Sequence, residues 1–125
     1  MTVVLDASAV LALLYREPGQ EVVRELLDGS RISTVNWSEV VQKLTQRGSS
    51  PDIATYLLAL GVAVEPFTQD DAELAAALYS RTKQSGLSLG DRACLALAAR
   101  LNAPALTADK AWAAADTDVE VRLIR

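Results

Sequence analysis

The segment Thr2-Val3-Val4-Leu5-Asp6 sets apolar, mostly β-branched residues on successive rather than alternate positions. A strand written this way has no solvent face, which suits the central strand of a parallel sheet covered by helices on both sides. The rest of the chain repeats the scheme. A helix is expected over residues 7–15, ending near Pro18-Gly19, and a second carries Val22, Val23, Leu26 and Leu27 on one face and stops at Gly29. Residues 31–34 read as a second strand, followed by helices over 38–46 and 51–60, the latter opening on Pro51, whose fixed φ suits a first helical turn. A third strand, Val62 to Phe67, is limited by Pro66, and an amphipathic helix is expected over 70–82. The helix expected over 88–101 is apolar nearly all round and therefore central. A short strand over 104–107, a short helix around Trp112 and a fifth strand over 119–124 complete the chain. Strands alternating with helices require right-handed crossovers. The expected class is α/β: a three-layer α/β/α fold with a mostly parallel central sheet of about five strands, one domain spanning residues 1–125.

Composition narrows the chemistry. The chain has no histidine and a single cysteine, Cys94, so no His-dependent triad, zinc-histidine site, Cys-His nucleophile or intrachain disulfide can form. Cys94, within an apolar helix, reads as a small buried hydrophobe. A lone cysteine fits a reducing cytoplasm, and no stretch approaches the roughly 18 consecutive apolar residues of a membrane span. Acid, base and metal chemistry is left to carboxylates.

Four of these stand at the starts of expected helices or the ends of expected strands. Asp6 closes the first strand and Asp109 follows the fourth. Ligands in open parallel sheets bind beyond the carboxyl ends of the strands, where both belong. Glu39 and Asp91 sit at helix starts that can face the same rim. Each acid has an equally ordinary use: Asp6 and Asp109 as N-caps, Glu39 and Asp91 as the acidic members of capping boxes with Asn36 and Ser88. Taken together, carboxylates crowded in a low-dielectric cleft repel one another until they are protonated or joined by a cation. An oxygen-only donor set favours a hard ion, Mg²⁺ or Mn²⁺.

The strings VVLDASAVLALL, NWSEV, GLSLGDRACLALA and ALTADKAW, in this order along essentially the whole chain, resemble PIN-domain ribonucleases, specifically VapC-type toxins. The resemblance implies an acidic quartet of Asp6, Glu39, Asp91 and Asp109 that binds Mg²⁺ or Mn²⁺, with Asp6 and Asp91 the principal ligands and Asp116 able to assist. It also implies cleavage of RNA, tRNA among the possible substrates, by metal-activated water, together with inhibition by a cognate antitoxin and a homodimeric state. Ser8 and Thr107 match small hydroxyl positions that orient a carboxylate or water, and Asn36 can support the site in the same way.

The formal charge is −4, from 12 Lys and Arg against 16 Asp and Glu. This opposes simple RNA affinity. Bound cations offset it, and Lys43, Arg47, Arg81, Lys83 and Arg92 can form a local basic rim. Trp37 and Trp112 read as core or partner contacts, and Asp70 and Asp71 as helix-start residues. Short Leu- and Val-rich helices near the start can leave an apolar groove for an amphipathic antitoxin helix. Two other readings stay open: a catalytically inactive PIN-like binding module, and a phosphatase with Asp6 as nucleophile. The second is disfavoured because DAS lacks the second acid of a DxD pattern.

Overall fold

The computed structural model describes residues 1–125. Its elements alternate as expected: β1 (Val4–Leu5), α1 (Ala7–Leu14), α2 (Gln20–Leu26), β2 (Arg31–Ser33), α3 (Thr34–Gln46), α4 (Ile53–Ala59), β3 (Ala63–Glu65), α5 (Gln69–Ala77), α6 (Tyr79–Thr82), α7 (Leu89–Leu101), β4 (Ala105–Thr107) and β5 (Val121–Leu123). Short 3₁₀ turns cover Lys83–Ser85 and Lys110–Ala114. The five strands form one sheet in the order β3-β2-β1-β4-β5, and every pairing is parallel. The fold is a three-layer α/β/α sandwich. No helix is long and apolar enough to cross a membrane.

The apolar run at the start is explained by the two cores it serves. Val3 and Leu5, with Leu106 of β4, pack among Ala9, Val10, Val23, Val40, Leu44 and Leu57 on one face. Val4 and Ala105 point the other way, into Cys94, Leu95, Leu97, Ala98 and Trp112. Side chains alternate along a strand, so a strand with a core on each face is apolar at every position. The nearly all-apolar α7 fits for the same reason: Ala93 to Ala98 are all buried.

Several boundaries differ from the sequence reading: β3 and β5 are shorter than expected, and α4 begins at Ile53, so Pro51 lies in the preceding turn rather than in the first helical turn. Helix α3 begins at Thr34 rather than residue 38, because Ser33, the last residue of β2, caps it by accepting the Val35 N–H at 3.2 Å. Asn36 is therefore inside the helix and forms no capping box with Glu39. The helix expected over 70–82 is divided at Leu78 into α5 and α6. The helix-start reading of Asp71 is borne out: it forms a capping box with Thr68 and is gripped by Arg100 at 3.0 and 3.1 Å.

Candidate active site

The sheet order places a topological switch point between β1 and β4: from β1 the chain winds to β2 and β3, then returns to β4 on the other side. A crevice opens at such points beyond the strand ends. Asp6 follows β1 directly, and its Oδ1 accepts the Ala9 N–H at 2.8 Å as the N-cap of α1. The Ser8 hydroxyl donates to Oδ1 at 2.7 Å and Oδ2 at 2.9 Å, and the Thr107 hydroxyl at the end of β4 donates to Oδ2 at 2.6 Å. Ser8 Oγ also accepts the Ala108 N–H at 2.9 Å, and Thr107 Oγ1 accepts the Asp109 N–H at 3.0 Å. These bonds tie the two strand ends together and fix the Asp6 side chain, which is only 4% exposed. Burial pushes its carboxyl up from the ordinary 3.8 to about 6; hydrogen bonds from Thr107, Ala9 and Ser8 oppose the rise, and the nearby Asp91 charge adds to it.

Asp91 enters from the first turn of α7. Its Oδ2 accepts the Ser88 N–H at 2.9 Å, and its own N–H donates to Ser88 Oγ at 3.2 Å, so the expected capping box is present. Burial raises its carboxyl and the Asp109 charge raises it further, while the bonds from Ser88 and, as a nearby dipole, the Trp112 indole N–H act in the opposite sense. The indole stands outside hydrogen-bond geometry: Trp112 Nε1 is buried without an acceptor. Glu39 projects from α3, and its Oε1 accepts from Asn36 Nδ2 at 2.9 Å. The same nitrogen donates to the Gly90 carbonyl at 2.9 Å. Asn36 is 1% exposed and thus bridges α3 to the start of α7. Asp109 accepts the Ala111 N–H at 2.9 Å and begins the last 3₁₀ turn.

The buried Cys94 thiol registers this convergence from below. Burial raises its pKa most, and the Asp6, Asp91 and Glu39 charges each raise it further. Asp6, Glu39, Asp91 and Asp109 are thus brought to one rim of the sheet, with Ser8 and Thr107 bonded to the first and Asn36 to the second. Asp116 does not join them. It is held by Arg81 at 3.0 Å beside a surface depression lined by Ser80, Gln84 and Ala114. That pairing also removes Arg81 from the expected basic rim. Arg92 is turned inward as well, donating to the Ala75 carbonyl at 2.7 Å and lying over the Tyr79 ring.

The donor set suits a hard cation. Hydrogen bonds occupy one oxygen each of Glu39, Asp91 and Asp109, leaving Glu39 Oε2, Asp91 Oδ1 and Asp109 Oδ2 without a protein donor. Six ion pairs occur in the molecule, and none touches any of the four carboxylates. No three of them stand at the spacing needed to grip one ion directly. An ion held here would take one or two carboxylates directly and reach the others through water, as Mg²⁺ can. The sequence reading had no place for two features: the Trp112 N–H beside Asp91, and the approach of Glu39 to Gly90. Both depend on how α7 meets its neighbours, which no local pattern encodes.

Known proteins resemble this chain in sequence and in fold. The family described as PIN domain matches residues 3–118. The VapC ribonuclease Mb2780c of Mycobacterium bovis is 33% identical over 115 residues, covering 82% of this chain and 87% of the relative. Ribonuclease VapC42 of Mycobacterium tuberculosis matches to the same extent, 33% over 115 residues. Among solved structures, a toxin-antitoxin complex from Klebsiella pneumoniae superposes with a TM-score of 0.78 at 19% identity, covering 98% of both chains. VapC20 of Mycobacterium tuberculosis, titled a sarcin-ricin loop cleaving toxin, gives 0.71 at 19% identity, covering 94% of this chain and 98% of that one.

Proposed function

This chain belongs to the PIN-domain family, alongside VapC-type ribonucleases, and from that premise we propose that it is a Mg²⁺- or Mn²⁺-dependent endoribonuclease, the toxin of a toxin–antitoxin pair. The observation that carries the proposal is a set of four converging carboxylates with no basic side chain paired to any of them. Where this protein needs a buried carboxylate neutralised by its own chain, as at Asp71, it supplies an arginine. At the switch point it supplies only hydroxyls, amides and more acids, an arrangement that a divalent cation completes.

When bound, the ion supplies positive charge to offset the carboxylates, to polarise the scissile phosphate and to activate water. Asp6 and Asp91 would hold it, with Glu39 and Asp109 completing or extending the shell. Ser8 and Thr107 fix the rotamer of Asp6, and Asn36 fixes that of Glu39. The reaction so supported would be phosphodiester hydrolysis, in which the bond from phosphorus to the 3′ oxygen is replaced by one to a water oxygen and a proton of that water ends on the 3′ hydroxyl. A nucleophilic role for Asp6 is poorly supported, since the position two residues on is Ser8 and no second acid stands there to protonate a leaving group.

The decisive experiment incubates total RNA, including tRNA, with antitoxin-free protein in Mg²⁺, Mn²⁺ or EDTA, beside Asp6→Asn and Asp91→Asn. Discrete cuts are expected with either ion and none with EDTA, and each variant should lose roughly 100-fold or more in rate. Intact RNA with a folded wild type that binds metal would instead identify a catalytically inactive binding module.

The partners in this reading are RNA, a cognate antitoxin and a second copy of the chain, in the cytoplasm. A groove of about 450 Å³ between α1, α2 and α4, lined by Leu13, Leu14, Leu27, Ile53 and Leu57, supports the antitoxin assignment. At its edge Tyr56 and Leu60 are 70% and 57% exposed, an apolar display suited to the face of an amphipathic helix. Leu60→Glu is expected to weaken capture of the co-expressed antitoxin by about tenfold or more, through a charge set in an apolar contact. Its RNA cleavage should be unchanged; surface plasmon resonance and the cleavage assay read the two effects separately.

A further inference from the structure

Gly90 is buried in the first turn of α7, one residue before Asp91. Its backbone is not among those with positive φ, so the conformation itself does not call for glycine. Helix propensity argues against glycine here, since alanine loses less backbone entropy in the same position. The reason lies in space. A Cβ on Gly90 would stand 2.5 Å from Glu39 Oε2 and 2.8 Å from both Glu39 Cδ and Oε1, closer than unbonded carbon and oxygen approach. From the other side, Asn36 Nδ2 holds Glu39 Oε1 and the Gly90 carbonyl together, both at 2.9 Å.

We infer that Gly90 is a positioning residue: its missing side chain forms the cradle in which the Glu39 carboxylate lies against the start of α7, beside Asp91. An acid on α3 and an acid on α7 are thereby set to serve one ion. The ion-binding part of the inference rests on the nuclease reading, whereas the cradle does not. A methyl group at this position meets the flexible end of a glutamate rather than backbone. It should therefore evict the carboxylate without breaking the fold.

The test is a double-mutant cycle with two readouts. In EDTA, thermal unfolding is compared for wild type, Gly90→Ala, Glu39→Ala and the double variant. Gly90→Ala is expected to raise the midpoint in the Glu39→Ala background, where nothing opposes the methyl, and to raise it less or lower it in the wild-type background. Equal shifts in both backgrounds would overturn the cradle. Mn²⁺ binding is then measured by calorimetry. Gly90→Ala should weaken it about tenfold in the wild-type background and by less than about twofold once Glu39 is absent. Unchanged Mn²⁺ affinity in Gly90→Ala would overturn the role of the cradle toward the ion. If the wild type takes up no Mn²⁺, the nuclease reading and the ion-directed role both fail, and the thermal cycle alone decides whether the cradle exists.

Discussion

Asp6→Asn is expected to abolish RNA cleavage and, in metal-free protein above a pH of about 6, to raise stability. The two effects have one cause. Folding raises the Asp6 carboxyl from 3.8 to about 6, chiefly through burial, so the native state binds this proton more tightly than the unfolded chain does. The group's contribution is therefore most favourable below pH 3.8, declines as pH rises through the interval up to about 6, and is at its least favourable above it. A rise of about two units corresponds to roughly 3 kcal/mol that ionised Asp6 costs the metal-free fold. Asparagine carries no charge to desolvate. Its Oδ1 can keep the Ala9 and Ser8 donors, and its amide can face Thr107 once that hydroxyl turns toward Ser8, 3.2 Å away. Urea unfolding in EDTA at pH 4 and pH 7.5 checks this: the variant should gain on the wild type at the higher pH and much less at the lower. A variant less stable than wild type at pH 7.5 would show that the hydrogen-bond network, rather than desolvation, dominates at Asp6. Adding Mn²⁺ should reverse the order, because a ligand bound only by native wild type stabilises it by mass action.

Trp112→Ala is expected to be among the most destabilising single changes. The side chain is 1% exposed and packs in the core on the α7 side with Leu78, Leu87, Cys94 and Leu95. Truncating a buried tryptophan costs about 3 to 5 kcal/mol, a large share of the roughly 5 to 15 kcal/mol that holds a domain together. The expected fall in melting temperature is on the order of 10 to 20 °C. Trp112→Phe should behave differently. It retains most of the packing and removes a buried N–H that has no acceptor, a group whose desolvation opposes folding. A loss of about 1 kcal/mol or less is expected. Because that N–H favours the charged form of Asp91, the Asp91 carboxyl should titrate higher in Trp112→Phe, as carboxyl-carbon NMR can show. An unchanged Asp91 titration would mean that the indole is core packing only.

The layers and the succession of strands and helices follow from signals the chain carries locally, whereas the strand order β3-β2-β1-β4-β5 does not. Two-sided apolar strands, an all-apolar central helix and Pro or Gly at the breaks are each decided within a few residues of sequence. The candidate site was legible to a different depth. Asp6, Asp91 and Asp109 could be read either as caps or as parts of a site, and the structure shows why sequence could not separate the two. Asp6 and Asp109 are N-caps and Asp91 is the acid of the Ser88 capping box, and at Asp91 and Asp109 this use occupies one oxygen and leaves the other free. Of the two readings of Asn36, the cap fails because Ser33, three residues earlier, starts the helix first. What remained out of reach was set by tertiary approach: the contact of Glu39 with Gly90, and the engagement of Arg81 by Asp116 and Asp118 across more than thirty positions of chain.

The hydrogen bond from Thr107 to Asp6 spans 101 residues of chain, and its consequence concerns synthesis. A ribosome making this protein releases Asp6 first and Thr107 near the end. Until β4 has emerged and docked beside β1, Asp6 lacks one of its two hydroxyl partners and a covering strand. The N-terminal half, with β1, β2 and β3, can begin to collapse on its own, but Asp91 and Asp109 come from the last third of the chain. Closing so long a loop is among the slower steps of folding. The four carboxylates can therefore converge only after the last third of the chain has emerged, so whatever chemistry the rim performs is withheld from the chain until its synthesis is nearly finished.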